Sequence, residues 1–141
     1  MLDEQAINRL AQDYAEGVDR LNESLLRGVF TDDAVMEGPG WRFEGIEQIC
    51  TILPMMKEMF VSSWHALHQL TVRLNGDTAT GENYCAGRHL QKGGNADNQV
   101  LTMIIRYQDR YVRTPGGWRI AFRKEIVDWT EINTIQSGRR E

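Results

Sequence analysis

The segment SWHALHQLTVRLNGD, residues 63–77, decides the fold class because it joins a strand pattern to a turn signal. Alternation with a period of two predicts a β-strand here. One side would carry Trp64, Ala66, His68, Leu70, Val72 and Leu74, and the other His65, Leu67, Gln69, Thr71 and Arg73. The triplet Asn-Gly-Asp at 75–77 is typical of a tight hairpin. We therefore predict a long strand that folds back on its successor, with His65 and His68 facing opposite sides.

Strand patterns continue toward the C-terminus. They cover TATGENYCAGRHLQ (78–91), QVLTMIIRYQDRYVR (99–113) and WRIAFRKEIVDW (118–129). KGGNADN (92–98) is a loop by composition, and TPGG (114–117) is a turn. The tail from about residue 134 is expected to be loose.

Helical patterns dominate the first half of the chain. Residues 1–21 place Ile7, Leu10, Ala11, Tyr14, Val18 and Leu21 on one apolar face, with Asp3 as the expected N-cap. Asn22 would cap a second, short helix that ends near Gly28. A short hairpin (31–45) precedes a third helix (45–60), which Pro54 must kink or divide. This order predicts one α+β domain over residues 1–141, with a curved antiparallel sheet, three N-terminal helices on one face, and a cavity between them.

Composition narrows the function classes. The net charge is −4, which argues against nucleic acid as the main partner. The apolar stretches are too short for a membrane span, and we see no signal peptide, so no membrane association is expected. Two cysteines, Cys50 and Cys85, form no CxxC pair, and we predict buried, reduced thiols in a cytoplasmic protein.

Metal and cofactor motifs are absent from the sequence. His65 and His68 cannot share a zinc ion, because their side chains would point to opposite sides of the strand. No HExxH motif or Cys/His cluster occurs. Dinucleotide and phosphate loops of the GxGxxG and GxxxxGK types are missing, as is a GxSxG elbow. We expect no metal and no cofactor, which leaves acid–base chemistry in a cavity.

Three stretches resemble a known superfamily. They are YAEGVDRLNESLLRGVFTDDAVMEG (14–38), SSWHALHQLTVRLNGDTATGE (62–82) and GGWRIAFRKE (116–125). Together they resemble the NTF2-like/SnoaL-like superfamily of cone-shaped α+β domains, and within it the branch of hexachlorocyclohexane dehydrochlorinase, bile-acid 7α-dehydratase and scytalone dehydratase. The resemblance implies a small, cofactor-free lyase of the dehydratase type that acts on a hydrophobic cyclic molecule.

The resemblance also implies site residues. His65 would be the general base and Asp19 would orient and charge-stabilise it, while Tyr14 and Arg123 would stabilise an oxyanion or leaving group. From the residues alone, other readings stay open for each of the four. His65 would be a strand histidine with a backbone partner, Asp19 a solvated acid at a helix end, and Tyr14 a core aromatic. Arg123 has opposite parity to Trp118, so the sequence leaves its face undecided.

The sequence leaves two other functions open and indicates self-association. An isomerase or polyketide-type aldol cyclase would use the same acid–base pair, and a non-catalytic ligand-binding domain would not use it. Trp64, Leu67, Leu70 and Val72 indicate a strand that is apolar on both faces, and hence a covered outer face. We expect a homo-oligomer, with a trimer favoured by the resemblance over a dimer. His68 and His89 are expected to be structural or interface residues.

Overall fold

The computed structural model describes residues 2–93 and 98–136. It contains short helices followed by long strands: α1 (Asp3–Asp19), α2 (Glu23–Arg27), β1 (Phe30–Gly38), β2 (Trp41–Glu44), α3 (Ile46–Ile49), α4 (Ile52–Met59), β3 (Phe60–Asn75), β4 (Thr78–Gln91), β5 (Gln99–Thr114) and β6 (Gly117–Thr134). The predicted α+β class is confirmed.

All six strands form one open sheet in the order β2-β1-β6-β5-β4-β3. Hairpins join β3 to β4, β4 to β5 and β5 to β6, and these pairs are antiparallel. Strand β1 pairs with β6 in parallel, so the sheet is not wholly antiparallel as predicted. This parallel pairing is possible because β1 and β6 are far apart in the chain, and a parallel neighbour needs a long connection.

The helices differ from the predictions in small ways. Leu2, not Asp3, occupies the N-cap of α1, and Gln5 accepts a hydrogen bond from its backbone N–H. Asn22 caps α2 as predicted, since its side chain accepts from Leu25 N–H at 3.1 Å. The third predicted helix is divided into α3 and α4 ahead of Pro54, which lies in the first turn of α4, where a missing N–H is tolerated.

The core lies between the helices and one face of the sheet. Its buried members include Ile7, Leu10, Tyr14 and Val18 from α1 and Met36, Ile105, Tyr107, Tyr111, Trp118 and Ile120 from the strands. The apolar face predicted for α1 is therefore the one that packs on the sheet, apart from Leu21, which lies beyond the helix and is 42% exposed.

A bulge in β3 changes which side chains face this core. Leu67 pairs with Cys85 and Leu70 pairs with Asn83, so two residues of β3 lie opposite one residue of β4. The extra residue shifts the alternation by one position. Leu67, Leu70 and Val72 consequently all pack against the core, so of the four apolar residues predicted to divide between two faces only Trp64 lies outside it.

A second bulge, in β6, settles the side of the sheet that Arg123 faces. Ile120 pairs with Tyr111 and Phe122 pairs with Arg110, which leaves Ala121 as the additional residue. Trp118 and Ile120 face the core before the bulge, and Arg123 faces it after the bulge. Strict alternation along a strand without a bulge would place Arg123 on the face opposite to Trp118.

The predicted loop and tail are described only in part. Within the loop 92–98, residues 94–97 lie outside the described residues, as do residues 137–141 of the tail. Strand β6 continues to Thr134, and the Ile135 backbone N–H donates to Asn98 O at 2.8 Å.

Candidate active site

Asp19 and His65 meet at the end of α1 and the start of β3. His65 Nδ1 lies 2.6 Å from Asp19 Oδ1, and the His65 backbone N–H donates to Asp19 Oδ2 at 2.8 Å. Ser63 Oγ donates to Asp19 Oδ1 at 2.7 Å. Because a carboxylate only accepts, Nδ1 of His65 carries the proton, and Nε2 is the nitrogen left for chemistry.

The turn after α1 directs Asp19 toward β3. Asp19 is the last residue of the helix, and Leu21 has a φ of 52°, which redirects the chain into α2. Gly17 lets α2 approach closely, since a Cβ there would lie 3.2 Å from Leu26 N. Helical periodicity predicts that Asp19 is exposed. It does not predict the orientation toward β3, because hydrogen bonds from β3 hold the Asp19 side chain.

The hydrogen bonds fix the charge of Asp19. Burial raises the pKa of this carboxyl, but the hydrogen bonds and charge of His65 and the hydroxyl of Ser63 outweigh burial and leave the pKa below its usual value. Asp19 is therefore a carboxylate at neutral pH, and it is suited to stabilise an imidazolium on His65.

A groove of about 1300 Å³ runs along this pair. Asp19, Ser63 and His65 lie in its wall, and its apolar lining includes Ala15, Val18, Met56, Phe60 and Leu67. Charged side chains also border it, namely Glu16, Arg20, Lys57, Arg88 and Lys92. The His65 side chain is only 6% exposed, so its imidazole is shielded from bulk water while it borders the groove. Concave, largely apolar sites with a few polar groups are typical of small-molecule binding.

His89 lies beside His65, on the same face of the sheet. Their ring centroids are 5.6 Å apart with nearly perpendicular planes, and His89 Nδ1–H donates to Leu101 O at 3.2 Å. Gly87 makes room for both rings, since a Cβ at this position would lie 3.3 Å from His65 Nε2 and 3.2 Å from His89 Cε1. The sequence indicated only a structural or interface residue, but the strand register places His89 at the candidate site.

Burial determines the protonation of His89. It is 4% exposed, and burial, together with the nearby charge of His65, lowers its pKa to about 4. His89 is therefore neutral at pH 7 and presents Nε2 as a hydrogen-bond acceptor.

Replacing His89 by glutamine should flatten the acid dependence of folding stability. In the unfolded chain His89 takes up a proton near its ordinary pKa of about 6.5, whereas the folded protein resists it down to a pKa of about 4. The unfolded state thus binds more protons in this window. The free energy of unfolding should therefore decrease as the pH is lowered, by about 2 kcal/mol from a pH of about 7 to about 4.5. Urea unfolding at both pH values measures the loss.

The matched control for that measurement is the exposed His68. We expect His68→Gln to keep the acid loss of the unmodified protein and His89→Gln to reduce it. An equal acid loss in all three proteins would contradict the assignment of His89 as a buried neutral group.

Tyr14 and Arg123 form a second, deeper cluster. The Arg123 guanidinium stacks on the rings of Tyr14 at 4.4 Å and Tyr107 at 4.1 Å, and Nε and Nη2 donate to Asp109 at 2.8 and 2.9 Å. Tyr111 donates its hydroxyl to the same carboxylate. Tyr14 is edge-on to His65, with centroids 6.4 Å apart.

This deeper cluster is buried and does not border the groove. Arg123 is 0% exposed and Tyr14 is 3% exposed, and the Tyr14 hydroxyl has Met36 Sδ as its partner at 3.9 Å. Burial raises the pKa of Tyr14 well above its usual value, so it is a neutral phenol. The structure thus brings Asp19 and His65 together at the groove, with Tyr14 and Arg123 behind them.

Within residues 2–93 and 98–136, no three His, Cys, Asp or Glu side chains are grouped so as to hold a metal ion. Among the helices of the same residues, none has the length and apolar character needed to span a bilayer.

Comparison with known proteins gives matches over most of the chain. The model of the SnoaL-like domain family matches residues 1–124. An uncharacterized protein of Mycobacterium tuberculosis is 34% identical over 128 residues, which is 87% of this chain and 84% of that protein.

Solved structures share the fold. A hexachlorocyclohexane dehydrochlorinase of type 3 from Novosphingobium barchaimii superposes with a TM-score of 0.86 at 19% identity, over 98% of this chain and 94% of that one. A protein provisionally assigned as a scytalone dehydratase, from Novosphingobium aromaticivorans, gives a TM-score of 0.82 at 18% identity over 98% and 95% of the two chains.

Proposed function

Because the chain belongs to the family of SnoaL-like domains, we propose that it is an acid–base lyase of the dehydratase type, which removes water from a small hydrophobic cyclic molecule without a metal or cofactor. The observation that carries the proposal is the 2.6 Å contact between Asp19 Oδ1 and His65 Nδ1 in the wall of an apolar groove. The names of two structural neighbours, a dehydrochlorinase and a dehydratase, both denote eliminations.

The proposed reaction uses one histidine in two steps. His65 Nε2 takes a proton from a carbon next to a carbonyl, and the electron pair of the broken C–H bond forms the new double bond. The hydroxyl on the adjacent carbon leaves with its bonding pair and takes the proton from the imidazolium, so that water forms and His65 returns to its neutral state. Asp19 stabilises the imidazolium between the two steps.

Tyr14 and Arg123 support this site from behind. Tyr14 packs edge-on against the His65 ring, and the Arg123 guanidinium behind it is paired with the Asp109 carboxylate, so the two charges form a buried neutral pair. In the proposed reaction the positive end of this pair favours the oxyanion that forms when the proton is removed from carbon.

The proposal includes self-association and a cytoplasmic location. Trp64, at the rim of the groove, is 71% exposed, and Trp129 on β6 is 56% exposed. Exposed tryptophans support contact with further copies of the chain, and the resemblance favours a trimer over a dimer. Cys50 and Cys85 are buried free thiols, which supports a reducing compartment.

The mass of the product tests the proposed reaction. We expect turnover of cyclic compounds that carry a hydroxyl on the carbon β to a carbonyl, with a product one water lighter by mass spectrometry. A product that has the mass of the substrate in ordinary water, and that gains deuterium when the reaction is run in heavy water, would favour an isomerase. Tight binding without any turnover would favour a ligand-binding domain.

A further inference from the structure

Asp19 has a second side-chain donor, to which the proposed reaction assigns no role. Ser63 Oγ–H donates to Asp19 Oδ1 at 2.7 Å, and His65 Nδ1–H donates to the same oxygen at 2.6 Å. The other oxygen, Oδ2, accepts the His65 backbone N–H at 2.8 Å. The serine and the imidazole therefore share one carboxylate oxygen, and Ser63 bears directly on the contact that carries the proposed function.

A bulge at the start of β3 decides which of two adjacent serines reaches the carboxylate. The partners of Phe60 and Ser62 on β4 are consecutive residues, which leaves Val61 as the additional residue of the bulge. The Phe60 ring packs on the inward-facing His89 with centroids 4.7 Å apart, so strict alternation from Phe60 would turn Ser62 inward. The bulge turns Ser63 inward instead, onto the face that carries the candidate site.

The Ser63 hydroxyl has two effects on Asp19. Burial raises the pKa of this carboxyl, while the hydrogen bonds and charge of His65, followed by the Ser63 hydroxyl, lower the pKa below its usual value. The hydroxyl thus helps to keep Asp19 ionised. It also takes up part of the negative charge of Oδ1, because a hydrogen bond from O–H to a carboxylate is charge-assisted and strong. An imidazolium on His65 is therefore attracted less strongly than it would be by a carboxylate without this donor.

We propose that Ser63 is a positioning residue that acts through Asp19 and limits how strongly the carboxylate stabilises the imidazolium. The proposed reaction needs this limit in its second step, because His65 must return its proton to the departing hydroxyl. A group that serves as base and then as acid works best when it accepts and releases the proton with similar ease at the working pH. The inference rests on the proposed function, since it assigns a role within that elimination.

Other titratable and charged groups surround His65, and the same groups are present in every Ser63 variant. On the inner side of the fold they are Tyr14 on α1, His89 and Cys85 on β4, and Glu125 and Arg123 on β6. Along the groove they are Glu16 and Arg20 near the end of α1, Lys57 on α4, Arg88 on β4 and Lys92 after it. A shift of the His65 titration in a Ser63 variant therefore reports on Asp19.

NMR of the full chain measures the protonation of His65 directly. The chain has three histidines, and the imidazole signal that is absent from His65→Ala belongs to His65. In Ser63→Ala we expect the midpoint of this titration to move to higher pH by about half a unit, which is about a threefold change in the protonation equilibrium. If Ser63 only kept Asp19 in place, the midpoint would instead move to lower pH, because the imidazolium would lose part of its counter-charge.

Three further variants test whether the effect passes through Asp19. Ser63→Thr restores the hydroxyl and should return the midpoint to that of the unmodified protein. Ser62→Ala removes the same group from the other face of β3 and should leave the midpoint unchanged. In an Asp19→Asn background, Ser63→Ala should shift the midpoint much less, since non-additive effects identify residues that act together. Ser63→Cys, with a weak donor, provides the same test if the alanine variant does not fold.

Turnover is the second readout, with a substrate that the product-mass assay has identified. The acid limb of kcat/KM reports the free enzyme, so in Ser63→Ala it should move to higher pH by the same amount as the NMR midpoint. The NMR titration needs no substrate, so this inference can fail while elimination is observed, and the effect on His65 can hold while elimination is not. A midpoint in Ser63→Ala that is unchanged or lower, or a shift of equal size in the Asp19→Asn background, would overturn the proposal.

Discussion

Replacing His65 by alanine is expected to lower kcat by about 10³, because a positioned general base typically contributes 10²–10⁴ to the rate. The His65 ring is held at Nδ1 by Asp19 and leaves Nε2 as the nitrogen that can take a proton. The neighbouring His89 is a poor substitute, because burial lowers its pKa to about 4 and so makes it a weak base. The measurement is kcat and KM with a compound that the product-mass assay has identified.

His68→Ala is the matched control for His65→Ala. His68 lies three residues further along β3, is exposed, and belongs to the bulge between Leu67 and Leu70. We expect it to keep the full rate. If His65→Ala retained full turnover on a confirmed substrate, the proposed mechanism would be wrong.

Arg123→Met is expected to destabilise the fold by about 3–5 kcal/mol, because it leaves a buried carboxylate without its counter-charge. Asp109 and Arg123 are both 0% exposed at their side chains, and two hydrogen bonds join them. Among the described residues, the Tyr111 hydroxyl is the one side-chain partner that Asp109 would keep. Urea unfolding at neutral pH measures the change in the free energy of unfolding.

Two further variants show whether the loss in Arg123→Met comes from the unpaired buried charge. Arg27→Met removes an ion pair with Glu47 on the surface, where such pairs contribute about 0–1 kcal/mol, and should have little effect. The double change Arg123→Met with Asp109→Leu removes both buried charges and should recover much of the lost stability. A loss in Arg123→Met no larger than that in Arg27→Met would contradict a structural ion pair.

The sequence predicts the elements of this fold well because they depend on local signals. The Asn22 cap, the turn at 75–77 and the apolar face of α1 all appear where residue type and spacing place them. The facing of side chains is harder to predict, because one extra residue reverses it for the rest of a strand. Neither the bulge after Leu67 nor that at Ala121 carries a glycine or a proline that would mark it.

The candidate site was accessible from the sequence only in part. Alternation separates His65 from His68, and the resemblance selects His65 as the site residue; the bulge after Leu67 lies beyond His65 and does not change its facing. Asp19 was assigned by resemblance, against its helical phase, because tertiary contacts with β3 orient a residue at a helix end. The inward position of His89 follows from pairing between strands, which a single sequence does not specify.

The position of Asp19 as the last residue of α1 has an electrostatic consequence. The unpaired carbonyls at the C-terminus of a helix carry a partial negative charge, roughly half an elementary charge, and no basic residue occupies the last turn of α1 to offset it. A carboxylate is ordinarily disfavoured there, and the hydrogen bonds from His65 and Ser63 compensate. The macrodipole of the whole helix is thus directed at the imidazole, and it acts with Asp19 to attract the positive charge that His65 gains when it accepts a proton.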